Sequence, residues 1–445
     1  MNEHKLKRIH AFTNDALADY DAVKIAQLIQ SKEVSVQEVT QAAVDRAKKI
    51  NPHINAIETD YFEQALNDPK FSINRQFSGV PFFFKDNTDY AGLPSHHGSK
   101  AVRPGNAANN PKLSRQLLDQ GFVVLGKSTL PEFGLNASTE FKDGTATLNP
   151  WHTEYSCGAS SGGSAALVAA GVIPIAHAND GGGSIRIPAA CCGLIGLKPT
   201  RGRTFGSDAS KSLPINIISE GVVTRSVRDT AHFFAGMERS FQNPKLPAIG
   251  LIEHPSGRKL RIGLVPQSIT GQVDQETTAA LYKTAQLLEN LGHHVSEFKL
   301  PIAAGFVNDF SQYWGFLAFM LQNLGKQAFG PSFNAQELDN LTLGLAGLYK
   351  KNFYKTPAFL FRLKKIQQDY MRMFDHFDVL LSPVLAHTTP KIGYLSPQLP
   401  FDELFERIQN YVTFTPIQNV AGAPAMSIPM GETKVDGLPI SMQIL

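Results

Sequence analysis

The eleven residues Asn179–Ala189, NDGGGSIRIPA, place Ser184 at the end of three glycines, with Arg186 two positions on. A serine on such a turn is suited to nucleophilic attack. Gly181, Gly182 and Gly183 let several backbone N–H groups converge on one point. Converging N–H groups stabilise an oxyanion, roughly 2.7–4 kcal/mol per donor. A serine nucleophile also needs a base, and this stretch contains no histidine. A second serine-bearing glycine run, Gly158–Ser164 (GASSGGS), puts Ser160 24 residues before Ser184. Other chemistries fit less well. The Gly-Lys-Ser/Thr of a phosphate loop is absent, and the glycines fit the G-x-G-x-x-G dinucleotide unit poorly. His177 lies in an apolar run and reads as a core residue, and His96 and His97 read as loop residues. Cys191 and Cys192 are adjacent and lack metal-ligand spacing.

Several segments in this order resemble the amidase signature family of serine hydrolases. They are Gly79–Asp86 (GVPFFFKD), Gly158–Ser164 and Asp180–Pro188 (DGGGSIRIP). Further matches are GKSTLPEFG at Gly126, NPW at Asn149, CGLIGLKPTRGR at Cys192, TRSVRD at Thr224 and GLPISMQI at Gly437. The likeness covers nearly the whole chain. Ala159 stands where the family often has glycine, and Gly181 where it often has threonine.

The resemblance implies a Ser–Ser–Lys triad: Ser184 as nucleophile, Ser160 as bridging serine and Lys85 as base. It implies a cis peptide at Ala159–Ser160 and an oxyanion hole from the N–H groups of Gly181, Gly182, Gly183 and Ser184. Asp180 and Arg186 are expected to support the loop. An exposed lysine titrates near ~10.4, so Lys85 must be buried to act at neutral pH, and the apolar run Val80–Phe84 can bury it. The implied reaction is hydrolysis of a carboxylic amide through an acyl-enzyme, on an apolar, linear or cyclic amide, with no metal or cofactor. The wording around Ser184 is most similar to the 6-aminohexanoate-cyclic-dimer hydrolase branch. The alternative is the A subunit of a tRNA-dependent amidotransferase, which works with a partner chain.

These residues need a frame to hold them. Asp21–Ile50 reads as two helices, the second opened by the capping box Ser35-x-x-Glu38. Short β-rich runs at Gly79, Phe122, Val172, Leu260, Phe377, Ala425 and Pro439 alternate with helical patterns. The expectation is an α/β fold: one large domain, 1–445, with a central mixed, twisted β-sheet flanked by helices on both faces. Within it the reading places N-terminal helices at 15–50, a signature core at about 75–235 and an aromatic helical region at about 300–373. C-terminal strands follow at 374–445. The aromatic segment from Phe306 to Phe329 is expected to help form the substrate pocket. Because the chain stops at Leu445 directly after an apolar run, a further C-terminal helix is expected beyond it.

Composition sets the remaining bounds. The chain has 445 residues, 42% hydrophobic and 18% charged, with a net charge of +3. No long basic run points to nucleic acid. Three cysteines do not make a disulfide framework and suit a reducing compartment. The charged start MNEHKLKRIHAFTNDAL lacks the apolar core of a signal peptide, and no apolar run approaches the ~18 residues of a membrane span. The expected setting is the cytoplasm and the expected partner a small-molecule amide; a homodimer is left open.

Overall fold

The structure, a computed structural model, describes residues 8–302 and 305–445, without the side chains of residues 208 and 209. The charged residues 1–7 and residues 303 and 304 of the expected helical region lie outside the described residues. The two N-terminal helices are Ala22–Gln30 and Val36–Ile54. Ser35 and Glu38 form the capping box in full, each accepting from the other's backbone N–H. The first helix is capped twice: Asp21 accepts from Lys24, and the N–H groups of Ala22 and Val23 donate to Asp229. Asp229 belongs to a later helix, Val227–Ser240, so one buried carboxylate ties the start of the chain to residues two hundred positions on.

Among the described residues eleven strands follow one another: β1 (Ile57–Asp60), β2 (Pro81–Lys85), β3 (Val123–Ser128), β4 (Ile175–Asp180), β5 (Ile195–Lys198) and β6 (Ser219–Thr224). They continue as β7 (Arg261–Leu264), β8 (His294–Glu297), β9 (Val379–Pro383), β10 (Ala425–Glu432) and β11 (Pro439–Ile444). Eight form a mixed sheet in the order β4-β6-β5-β10-β11-β9-β7-β8, and three form a smaller one in the order β1-β3-β2. Parallel pairing occurs between β2 and β3, β7 and β8, and β7 and β9; the other ladders are antiparallel. Strands β2, β3, β4 and β6 are buried at every position, as strands covered on both faces must be. The edge of the smaller sheet runs beside the edge of the larger, with the N–H of Lys85 in β2 donating to Nδ1 of His177 in β4 at 3.3 Å.

The aromatic region forms three helices, Gly305–Phe329, Asn340–Asn352 and Thr356–Met371. The C-terminal region departs from a run of strands: the helices Phe401–Tyr411 and Pro416–Ala421 stand between β9 and β10. Both prove to face the site. Among the described residues no helix is long and apolar enough to cross a membrane.

Candidate active site

Strand β2 delivers Lys85 to its C-terminal end, among buried Phe82, Phe83 and Phe84, and the lysine is itself fully buried. An ammonium there loses its hydration. Burial pushes Lys85 down to about 7, against the opposing pull of Glu220 and Asp180. Its Nζ lies 2.7 Å from Ser160 Oγ and 2.7 Å from Asn179 Oδ1, with the Asn179 carbonyl at 3.5 Å.

Ser160 sits on the turn Gly158–Ser161, which leads into the helix Gly162–Ala169. The Ala159–Ser160 peptide bond is cis. Gly158, at φ +74°, is pressed against Pro188 and Cys191, a conformation and spacing that only glycine meets. The neighbouring N–H of Ser161 donates to the Ser184 carbonyl at 3.3 Å, so the two serine-bearing turns are stitched together. Ser184 follows β4 and its glycine turn and precedes the short helix Arg186–Cys191. Its hydroxyl carries no hydrogen bond among the described residues and faces a cleft, which Gly182 and Ala159 also line.

The expected oxyanion donors divide. The N–H of Gly183 is committed to Asp180 Oδ1 at 2.6 Å, whereas those of Gly181, Gly182 and Ser184 have no acceptor among the described residues. Asp180 also accepts from the N–H of Ile185 and from Nε and Nη2 of Arg186. Burial raises the Asp180 carboxyl, but the Arg186 guanidinium outweighs it and the net falls to about 2. Arg186, fully buried, donates further to Gln418, Gln443, Asn419 and the Thr415 carbonyl. Asn419 in turn donates to the Asp180 carboxylate and carbonyl, and Thr415 to the Gly182 carbonyl at 2.6 Å. The loop is therefore held from the C-terminal helix Pro416–Ala421 and from β11.

The histidine next to the glycine turn is not near Ser184's hydroxyl by any hydrogen bond. His177 is fully buried; burial lowers its pKa, opposed by Glu220, whose Oε2 lies 3.2 Å from Nε2. All three cysteines are buried free thiols, and burial pushes each of them up. His97 is buried and lowered to about 4 by burial. Glu58, Asp86 and His96 bring metal-ligand-type atoms within 4.8 Å of one another, but Lys127 Nζ already stands 3.5 Å from Asp86 as counter-charge. The cleft over Ser184 has a volume of about 750 Å³ including its open mouth, and Phe306, Phe310 and Trp314 of the aromatic helix line it.

The family model described as Amidase matches residues 38–445. The chain belongs to the amidase signature family, whose enzymes hydrolyse amide bonds. AmiC of Mycobacterium tuberculosis, an amidase-family protein, is 45% identical over 442 residues, covering 99% of this chain and 93% of its own. The 6-aminohexanoate-cyclic-dimer hydrolase of Paenarthrobacter ureafaciens is 31% identical, covering 96% of this amidase and 90% of its own length. A solved structure of a 6-aminohexanoate cyclic dimer hydrolase with substrate superposes at TM-score 0.84 and 29% identity, covering 97% and 93% of the two chains. The mixed sheet with helices on both faces is thus the amidase signature fold.

Asn179 is the site residue of this amidase that sequence reasoning passed over, although it stood in the stretch first considered. Its signal was the two-residue period of β4. His177 and Asn179 share one face, and both bond Lys85, one through the backbone N–H and one through Nζ. Gln418 and Asn419 had no local signal, because their role comes from contact with Arg186 and Asp180, and Gln443 lay in the GLPISMQI match without a role assigned to it.

Proposed function

We propose that this amidase hydrolyses a carboxylic amide carrying an apolar group, through an acyl-enzyme on Ser184. Neutral Lys85 draws the Ser160 proton, Ser160 draws that of Ser184, and Ser184 Oγ attacks the carbonyl carbon. The unpaired N–H groups of Gly181, Gly182 and Ser184 take the oxyanion. The C–N bond then breaks as the proton passes back to the departing amine, and water releases the acyl group as a carboxylate. The observation that carries this reading is the completely buried Lys85 Nζ, 2.7 Å from Ser160 Oγ on the turn bonded to Ser184. The three free thiols fit a cytoplasmic setting. The test is labelling by a fluorophosphonate probe together with a screen of amides and esters. Labelling and turnover are expected in the native enzyme and absent in Ser184→Ala. Turnover that survives Ser184→Ala would sink the assignment.

A further inference from the structure

The cleft over Ser184 has an electrostatic character that hydrolysis by itself does not demand. Its wall comes from the turn Gly134–Ala137, from the helix Gly305–Phe329, from Ile269 and Thr270 after β7, and from the helix Phe401–Tyr411 with Thr413 and Pro416 beyond it. Among the described residues no aspartate, glutamate, lysine, arginine or histidine lines it. Its polar side chains are neutral, and several are bonded within the wall. Gln409 Nε2 donates to Ser311 Oγ at 3.0 Å, and Thr270 donates to Thr413 Oγ1 and to the Gln409 carbonyl. Asn136 donates to the Leu395 carbonyl and accepts from the N–H of Ala137.

The rings reach the reacting end itself. A Cβ built on Gly182 would meet Trp314 at 3.4 Å and Phe310 at 3.5 Å, so these two rings pack against the oxyanion turn. Trp314 is pinned there by its Nε1–H, which donates to the Leu135 carbonyl at 3.2 Å. A substrate group entering the cleft leaves water for aromatic and aliphatic walls, with neutral amide and hydroxyl groups beyond. An apolar or neutral polar group gains from this transfer. An ammonium or carboxylate loses its hydration and finds no counter-charge.

We infer that the cleft is a charge filter: this amidase takes uncharged amides and rejects amides whose cleft-bound group bears an ammonium or a carboxylate. The inference rests on the proposed Ser184 hydrolase and adds the substrate class. It also sets apart the amidotransferase reading, since glutamine carries both charges. Hydrolysis of an uncharged amide adds water across the C–N bond and leaves a carboxylate together with the amine, which at neutral pH is an ammonium when aliphatic and stays neutral when it is an aniline. The carboxylate product therefore carries a charge that the cleft does not match and is a weaker ligand than the substrate.

The test uses four anilides of one chain length: hexanoic, 6-aminohexanoic, adipic mono-anilide, and the adipic mono-anilide with its other end as a primary amide. Each is scored by kcat/KM and by its ability to slow fluorophosphonate labelling of Ser184, so that a compound hydrolysed too slowly still reports binding. The two uncharged anilides are expected to exceed the two charged ones by about 100-fold in kcat/KM, and to protect Ser184 where the charged ones do not. Gln409→Arg places a cation on the wall and is expected to raise the adipic mono-anilide relative to the hexanoic one by about 10-fold. Charged and uncharged anilides within about 3-fold of one another, all requiring Ser184, would overturn the filter and leave the hydrolase standing. Absence of both labelling and turnover would instead overturn the hydrolase on which it rests.

Discussion

A deprotonated lysine has two N–H donors and one lone pair, and the surroundings of Lys85 allot them. The Oδ1 and carbonyl of Asn179 only accept, at 2.7 and 3.5 Å, so both N–H groups are drawn there and the lone pair is left for the Ser160 hydroxyl at 2.7 Å. Asn179 is itself fixed, because its Nδ2 donates to Asn87 Oδ1 at 3.0 Å. As the proposed base Lys85 would work only when neutral, so activity is expected above its pKa and lost below it. With Lys85 at about 7, kcat/KM is expected to climb about tenfold per pH unit below that value and to level off above it. A profile flat across that range would remove Lys85 as the base. Asn179→Asp puts a negative charge beside Nζ, favours the ammonium, and is expected to move the midpoint upward by about one pH unit or more. Asn179→Leu removes an acceptor without adding charge and is expected to lower kcat roughly tenfold with a smaller change in KM. A midpoint that stays fixed in Asn179→Asp would show that the carboxylate is not felt at Nζ.

The turn between β4 and the helix Arg186–Cys191 does its work as a unit, and its two inner glycines are not equivalent. Gly183 has φ +133°, and a Cβ there would lie 2.4 Å from Thr415 Oγ1 and 2.7 Å from Ile187. Gly183→Ala is expected to cost about 2–4 kcal/mol and to abolish labelling of Ser184. At Gly182 the added methyl meets Trp314 and Phe310 only at ordinary contact distance, so Gly182→Ala is expected to keep stability within about 0.5 kcal/mol while narrowing the cleft. Thermal unfolding of the two variants side by side checks the contrast; equal losses would contradict it. The position of this turn was readable in the residues, since glycines, serine and the Asp180–Arg186 pair lie within a few positions. Its support was not. The strands that escaped the sequence reading share a cause: β1 (IETD), β5 (IGLK) and β8 (HVSE) are four-residue runs with polar or glycine positions, β6 (SEGVVT) opens on two polar residues and a glycine, and a sheet neighbour makes each of them a strand. The helix Phe401–Tyr411 did carry a local signal that went unread, with Phe401, Leu404, Phe405 and Ile408 at helical spacing, whereas the six-residue helix Pro416–Ala421 was hidden behind Pro416 at its first turn, where proline is tolerated.

At the scale of the molecule, the sheet order brings residues 85, 160, 184, 314 and 418 into one neighbourhood although no short stretch contains more than one of them. Sequence patterns within a segment are local, so Ser184 was legible as a candidate nucleophile from its own glycine turn, but Lys85 and Ser160 gained roles only through their segments' likeness to a family. The same assembly buries a second lysine. Lys198, at the end of β5, is fully buried, its Nζ donating to the Pro199 carbonyl and to Ser219 Oγ. Burial, with Arg186 nearby, pushes it to about 7, against the pull of Asp180. In the unfolded chain a lysine titrates near ~10.4, so between about pH 7 and 10 the unfolded state binds one proton more than the folded state for each such lysine. Stability from this source therefore rises with pH by about 1.4 kcal/mol per unit across that window, and is flat below it, where the lysine is charged in both states. Other buried groups titrate in overlapping ranges, the three thiols among them, but they cancel in the difference between the native enzyme and Lys198→Met. At pH 7 and below, the methionine variant is expected to be the more stable of the two, since it buries no amine. Its advantage is expected to shrink as pH is raised from 7 to 9.5, measured as urea unfolding free energies of the pair. An advantage that holds constant over that range would mean that Lys198 keeps its proton inside the fold, and that Asp180 shares its charge between Arg186 and this second cation.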